Sequence, residues 1–194
     1  MLPSREDTLA LVHEYTASDS LRKHMLAVEA AMRAYAEKFG EDVELWGLTG
    51  LVHDFDYERF PDLTDTENGH PRTALRELAE RGYPSDVIDA VAGHASFLGV
   101  PRVTPMAKTL FAVDELTGFI GACALVRPTG IEGMKPKSVA KKLKTPSFAA
   151  GVDREEVRLG AAELGVEFSE HVAFLIAALG EHAGELGMEP REQP

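Results

Sequence analysis

Six residues carry the chemistry this sequence offers: His24, the adjacent pair His53 and Asp54, His70, His94 and Asp114. A neighbouring His and Asp mean little alone, since such a pair arises readily by chance with 7 histidines in 194 residues. Context gives the pair its weight. His24 falls on an apolar helix face, His53 and Asp54 end a short apolar helix, and Asp114 takes a place that helical periodicity would assign to an apolar residue. An uncompensated carboxylate or imidazole on a core face costs several kcal/mol, and a shared cation offsets that cost for the whole set. Imidazole and carboxylate ligands without thiolates suit a divalent transition metal, one ion or two, among Mn, Fe, Co, Ni and Zn. Such an ion activates water and polarises a phosphoryl oxygen. The competing reading is structural burial with hydrogen bonds, or helix capping for His70 and His94, which lie near helix ends.

The elements that must position these residues read as helices throughout, because no segment alternates apolar and polar residues long enough for a strand. The expected class is all-α. Ser4 with Asp7 opens a first helix through about Tyr15, and a second runs from near Ser20 to Gly40 with Leu21, His24, Val28, Ala31, Tyr35 and Phe39 on one face. Asp42 caps a short helix ending at Val52, after which Phe55 to Gly69 reads as a loop. Pro71 is expected in the first turn of a helix ending near Gly82, and Ser85 is expected to cap the helix carrying Val87, Val91 and His94. Thr104-Pro105 starts a long helix with Met106, Leu110, Asp114 and Thr117 in line. A lysine-rich helix capped by Ser138 and two more helices, about Asp153 to Leu164 and Ser169 to Leu186, complete the chain, with a frayed tail after Met188.

The order His, His-Asp, His, His, Asp, in LRKHMLAVEAA, GLVHDFD, GHPRTALRELAERG, DAVAGHAS and LFAVDELTGF, resembles the HD superfamily of metal-dependent phosphohydrolases from about Leu21 to Phe119. The resemblance implies an HD-domain helical bundle with additional C-terminal helices. That is one domain over 1–194, with its motif core at about 20–125 and a basic loop and C-terminal helices at 126–188. It also implies that His24, His53, Asp54 and Asp114 bind one metal. In binuclear members, residues at the places of His70 and His94 hold a second ion and the dyad aspartate bridges the two. Asp54 and His53 are then the catalytic pair. The dyad is followed by Phe55-Asp56-Tyr57, not by the Ile-Gly of one subgroup.

Around this set, Asp56 and Glu58 are candidate proton carriers or members of a solvated acidic loop. Arg127, Lys135, Lys137, Lys141, Lys142 and Lys144 against Glu132 alone make one segment basic in a chain of net charge -12. Arg127, Lys135 and Lys137 are the expected substrate contacts for a small anionic molecule, and a solvated face is the alternative for the remaining lysines. The overall charge argues against a nucleic acid polymer. No apolar run reaches the roughly 20 residues of a membrane span. The charged N-terminus implies a cytoplasmic place. Cys123 reads as a small core residue, and His13, His171 and His182 fall outside the ligand pattern. The expected activity is hydrolysis of a small phosphorylated molecule, with nucleotides among the candidates. The same ligand order also serves di-iron oxygenases of the myo-inositol oxygenase type, and a nucleotide-sensing module without catalysis is a third reading. Nothing in the sequence sets the oligomeric state.

Overall fold

Capping side chains set most of the helix starts in the structure, a computed structural model that describes residues 2–191. Ser4, Ser18, Asp42, Thr104, Asp153 and Glu167 each accept a backbone N–H in the first turn of α1 (Arg5–Tyr15), α2 (Asp19–Phe39), α3 (Val43–Val52), α6 (Pro105–Leu125), α8 (Arg154–Leu164) and α9 (Phe168–Glu181). These bonds satisfy donors that a helix leaves open at its N-terminus. Gly40 and Gly165 close α2 and α8 in the left-handed conformation. The remaining helices are α4 (Arg72–Glu80), α5 (Ser85–His94), α7 (Pro136–Leu143) and the short α10 (Ala183–Leu186), with a 3-10 turn at Ser96–Leu98. Among the described residues there is no strand, and the protein is all-α.

Five boundaries differ from the sequence pattern. Ser18 rather than Ser20 caps α2, which lets Asp19 meet the positive end of the helix dipole. Pro71 sits at the cap of α4, one residue before its first turn, and Ser85 lies inside α5 without capping it. At α7 the start is set by Pro136, whose fixed φ suits the first helical position, while the Ser138 hydroxyl donates back to the Lys135 carbonyl at 2.7 Å. The last long helix breaks at His182 into α9 and α10. Met188 is tied back to Ile131 and, of the tail expected to fray after it, Arg191 to Pro128 through backbone hydrogen bonds, and residues 192–194 lie outside the described region.

The core is one hydrophobic cluster running from Leu11 to Met188, with Tyr35, Phe55, Phe119, Leu110 and Leu175 fully buried. Helices α3 and α6 are apolar nearly all round and are accordingly enclosed by the others. Helix α2 packs along α3, and α6 is flanked by α2, α5 and α8. Two glycines let backbones approach closely. A Cβ on Gly50 would lie 2.9 Å from the Val28 and Glu29 backbone of α2, and one on Gly160 would lie 2.6 Å from Ala112 Cα of α6. Glu29 is buried between Arg5 at 2.7 Å and Arg33 at 2.9 Å, pairing that a buried carboxylate needs. Cys123 is buried and its thiol is pushed up to about 11 by burial, as suits a packing residue. No helix among the described residues is long and apolar enough to cross a membrane.

Candidate metal centre

The six candidate ligands come from five separate stretches and meet beside the middle of α6. His24 projects from the first half of α2 and Asp114 from the centre of α6. His53 and Asp54 follow the last residue of α3, His70 precedes α4, and His94 ends α5. The Gly50 contact between α2 and α3 brings His24 and His53 together, with their Nε2 atoms 3.2 Å apart.

The side chains form two groups. In the first, Asp114 Oδ1 lies 3.0 Å from His24 Nε2 and 3.3 Å from His53 Nε2. In the second, Asp54 Oδ1 lies 3.3 Å from His70 Nε2 and 3.4 Å from His94 Nε2, and these two nitrogens are 3.3 Å apart. The other oxygen of Asp54 turns to the first group, 3.6 Å from His53 Nε2 and 3.8 Å from His24 Nε2. One carboxylate therefore stands between two triads and offers an oxygen to each.

Hydrogen bonding on the far side of the rings decides what these atoms can hold. His53 Nδ1 donates to the Gly50 carbonyl at 2.7 Å, His94 Nδ1 to the Val91 carbonyl, and His70 Nδ1 to Asp56 Oδ1 at 2.6 Å. Each partner is an acceptor only, so the proton of a neutral ring sits on Nδ1 and Nε2 presents a lone pair. Around Asp54 Oδ1, two lone pairs and a carboxylate oxygen thus converge without a donor among them. Such a cluster is favourable with positive charge in it, either a bound cation or a proton on one of the rings. Ligands held about 2.1 Å from one ion stand about 3.0–3.4 Å apart, which matches both triads. Protons experience the same field. Burial disfavours the charged form of His53, yet Asp54 and Asp114 outweigh it and raise the group to about 9; His94 is raised in the same sense. Burial likewise opposes ionisation of Asp54 and Asp114, and the neighbouring histidines overcome it, holding both well below the usual carboxylate range.

Comparison with protein-family models matches the HD domain over residues 21–118, just over half of the chain. The chain belongs to the HD-domain family. No curated protein and no solved structure matches it. All six converging ligands lie inside the HD match, whereas α7 to α10 lie beyond it.

The surroundings of the HD centre hold residues that the sequence pattern did not assign. Asp56 is fully buried. It accepts from His70 with Oδ1 and from the Ala74 backbone N–H, in the first turn of α4, with Oδ2 at 2.8 Å. It is thus neither solvated nor available as a proton carrier; it holds a ligand. Glu58 Oε2 accepts the Ala17 and Ser18 N–H groups at 3.0 and 2.8 Å and ties the loop to the start of α2. A cavity of about 530 Å3 opens over both triads, walled by Tyr57 and Phe97 on one side and by Glu115, Asp153 and Glu156 on the other. Glu115 is pushed up to about 7, by burial first and by Asp114 second. Glu115 had no signal beyond its place beside Asp114, and Asp153 and Glu156 reach the wall only because α8 packs on α6.

The expected substrate contacts lie elsewhere. Arg127, Lys135 and Lys137 are not among the residues lining this cavity, and neither is any other Lys or Arg. Arg127 is used within its own loop, donating to the Gly130 and Glu132 carbonyls at 2.8 and 2.9 Å. Lys135 and Lys137 are exposed at the start of α7. The net local charge of that segment was legible, but its distance from the ligands depends on how α7 packs against α9.

Proposed function

We propose that this chain is a metal-dependent phosphohydrolase acting on a small phosphomonoester, in which His24, His53 and Asp114 together with Asp54, His70 and His94 would hold two divalent transition-metal ions. The observation that carries the reading is the donor-free convergence of His70, His94 and Asp54 beside the His24, His53 and Asp114 triad. When bound, such ions supply a water of lowered pKa and positive charge for phosphoryl oxygens. The chain's own residues do the rest. Asp54 sets the spacing of the two triads, Asp56 and the Gly50 and Val91 carbonyls fix the ring orientations, and Tyr57, edge-on to His70 at 5.2 Å between ring centres, shields the second triad. Divalent ions would more than offset Asp54 and Asp114, leaving positive charge at the ligand end. Asp153 and Glu156 keep the outer wall negative, and Glu115, pushed up to about 7, adds only part of a charge at neutral pH. That distribution favours a single phosphoryl group with an uncharged or cationic remainder and disfavours polyphosphates.

The test is metal analysis of protein purified without a histidine tag, followed by phosphate release from a panel of monoesters and polyphosphates under anaerobic conditions with Mn or Co. Release from monoesters in preference to nucleoside triphosphates is expected. No release with any metal, together with oxygen uptake by the iron-loaded protein, would overturn the hydrolase in favour of oxidation on the same ligands.

A further inference from the structure

His24 differs from the other three ligand histidines. Their Nδ1 atoms are each bonded to a protein acceptor, whereas His24 Nδ1 has no partner among the described residues. The reason lies on α6. Gly118 faces this edge of the ring, and a Cβ there would stand 3.6 Å from Nδ1. With glycine in place the edge is uncovered, and His24 and Gly118 line a second cavity of about 420 Å3 as well as the first.

The second cavity has a different character. Its walls are mainly Ala27, Gly121, Ala122, Leu125, Leu186 and Met188, and its two charged residues, Asp19 and Lys23, neutralise each other at 2.7 Å. Leu125 is about half exposed at this surface, 54% of it open to solvent. The far wall is anchored: Met188 donates to the Ala183 carbonyl and accepts from Ile131 N–H, both at 2.8 Å, and its methyl group would lie 3.0 Å from a Cβ on Gly121. Most of this wall comes from residues outside the 21–118 match, so it is a feature of this chain's own additions to the domain.

We infer that this second cavity is the subsite for the uncharged, apolar part of the substrate, with His24 Nδ1–H offered to an oxygen acceptor on that part. The inference rests on the phosphomonoester reading and adds to it the class of the organic group. The first cavity sets its apolar lining, Tyr57, Leu63 and Phe97, beside the carboxylates Glu115, Asp153 and Glu156. The second is charge-neutral, shares His24 and Gly118 with the first, and holds an N–H that a metal on Nε2 would leave protonated and free to donate.

The experiment compares inorganic phosphate and phenyl phosphate binding to manganese-loaded protein by calorimetry, in the native chain and in Ala122→Phe, which places a bulky ring in the second cavity from a residue that is not itself a ligand. Gly118→Ala, which covers the His24 edge at van der Waals distance, is the second variant, and melting temperatures and metal content check that both are folded and loaded. Phenyl phosphate is expected to bind at least tenfold more tightly than phosphate in the native chain. In Ala122→Phe the two should come within threefold, with phosphate affinity unchanged. Phosphate binding with no gain from the phenyl group, or a gain that survives in Ala122→Phe, would overturn the subsite alone. Binding of neither ligand would overturn the phosphomonoester reading and the subsite with it.

Discussion

Removing the Asp56 carboxylate should weaken the metal site it never touches. Asp56 joins His70 Nδ1 at 2.6 Å to the Ala74 N–H at 2.8 Å, and its side chain is fully buried. In Asp56→Ala both donors lose their acceptor where water has little access. A buried donor left unsatisfied costs about 1–3 kcal/mol. Loss of an outer partner of a ligand histidine lowers metal affinity about 10–100-fold, or roughly 1.4–2.8 kcal/mol. Two effects should therefore appear together. The apo-protein should melt about 4–8 °C lower for a loss of about 2 kcal/mol, given the size of the chain. The ion held by Asp54, His70 and His94 should bind 10–100-fold more weakly, while the ion of His24, His53 and Asp114 changes by less than about threefold. Asp56→Asn retains one acceptor oxygen but turns an amide NH2 toward the other donor, so it should recover only part of either loss. Competition with a chromophoric chelator resolves the two affinities, and circular dichroism gives the melting point. Unchanged affinities at both triads with a lowered melting point would show that Asp56 serves only to anchor α4, and the argument from ring orientation would fail.

Further outcomes follow from the same geometry. Asp54→Ala removes the oxygen that each triad draws on, so metal content by elemental analysis should fall for both ions while far-ultraviolet circular dichroism stays helical; full occupancy would sink the shared-carboxylate arrangement. Gly50→Ala forces a methyl to 2.9 Å from the α2 backbone and should destabilise the fold by about 1–3 kcal/mol while weakening the His24 and His53 triad, as denaturant melts and metal titration would show. His171 is buried, accepts from Tyr35 Oη at 2.6 Å and donates to the Ala112 carbonyl at 3.0 Å. Burial lowers its pKa from 6.5, aided by Lys38 and opposed by the Ala112 bond. Its neutral form is thus preferred in the folded state, and its contribution to stability is present above pH 6.5 and lost as pH falls below it. In His171→Gln the fall in stability between pH 7 and pH 5 should be shallower than in the native chain, and an equal slope would refute this. Lys135→Ala with Lys137→Ala should leave the unfolding free energy within about 0.5 kcal/mol of native. The Michaelis constant of that double variant should change by less than threefold; a tenfold rise would return the basic segment to the substrate.

Helix positions were largely legible from the sequence because their causes are local. Ser4, Asp42 and Thr104 act on backbone donors two or three residues away, and the apolar faces of α2 and α6 repeat at helical spacing. The six candidate ligands were legible too, since His24 and Asp114 stand where an apolar side chain belongs and the resemblance supplied their order. Which of them would share an ion was legible only through that resemblance, because residue types and spacing by themselves leave the grouping open. The division into two triads with Asp54 between them depends on the approach of α2 to α3 at Gly50 and on the convergence of α5 and α6, contacts between residues far apart in the chain. Asp56 shows the same limit from the other side: its neighbours in sequence make it look like part of an acidic loop, and only the packing of His70 and α4 over it reveals a buried acceptor. That Arg127, Lys135 and Lys137 do not line the cavity over the triads was not legible, because charge along a chain records composition, whereas reach into a cavity is settled by which helix each turn packs against. Local hydrogen bonds and periodicity specify the elements, while the chemistry of the site follows from close approaches that no single segment encodes.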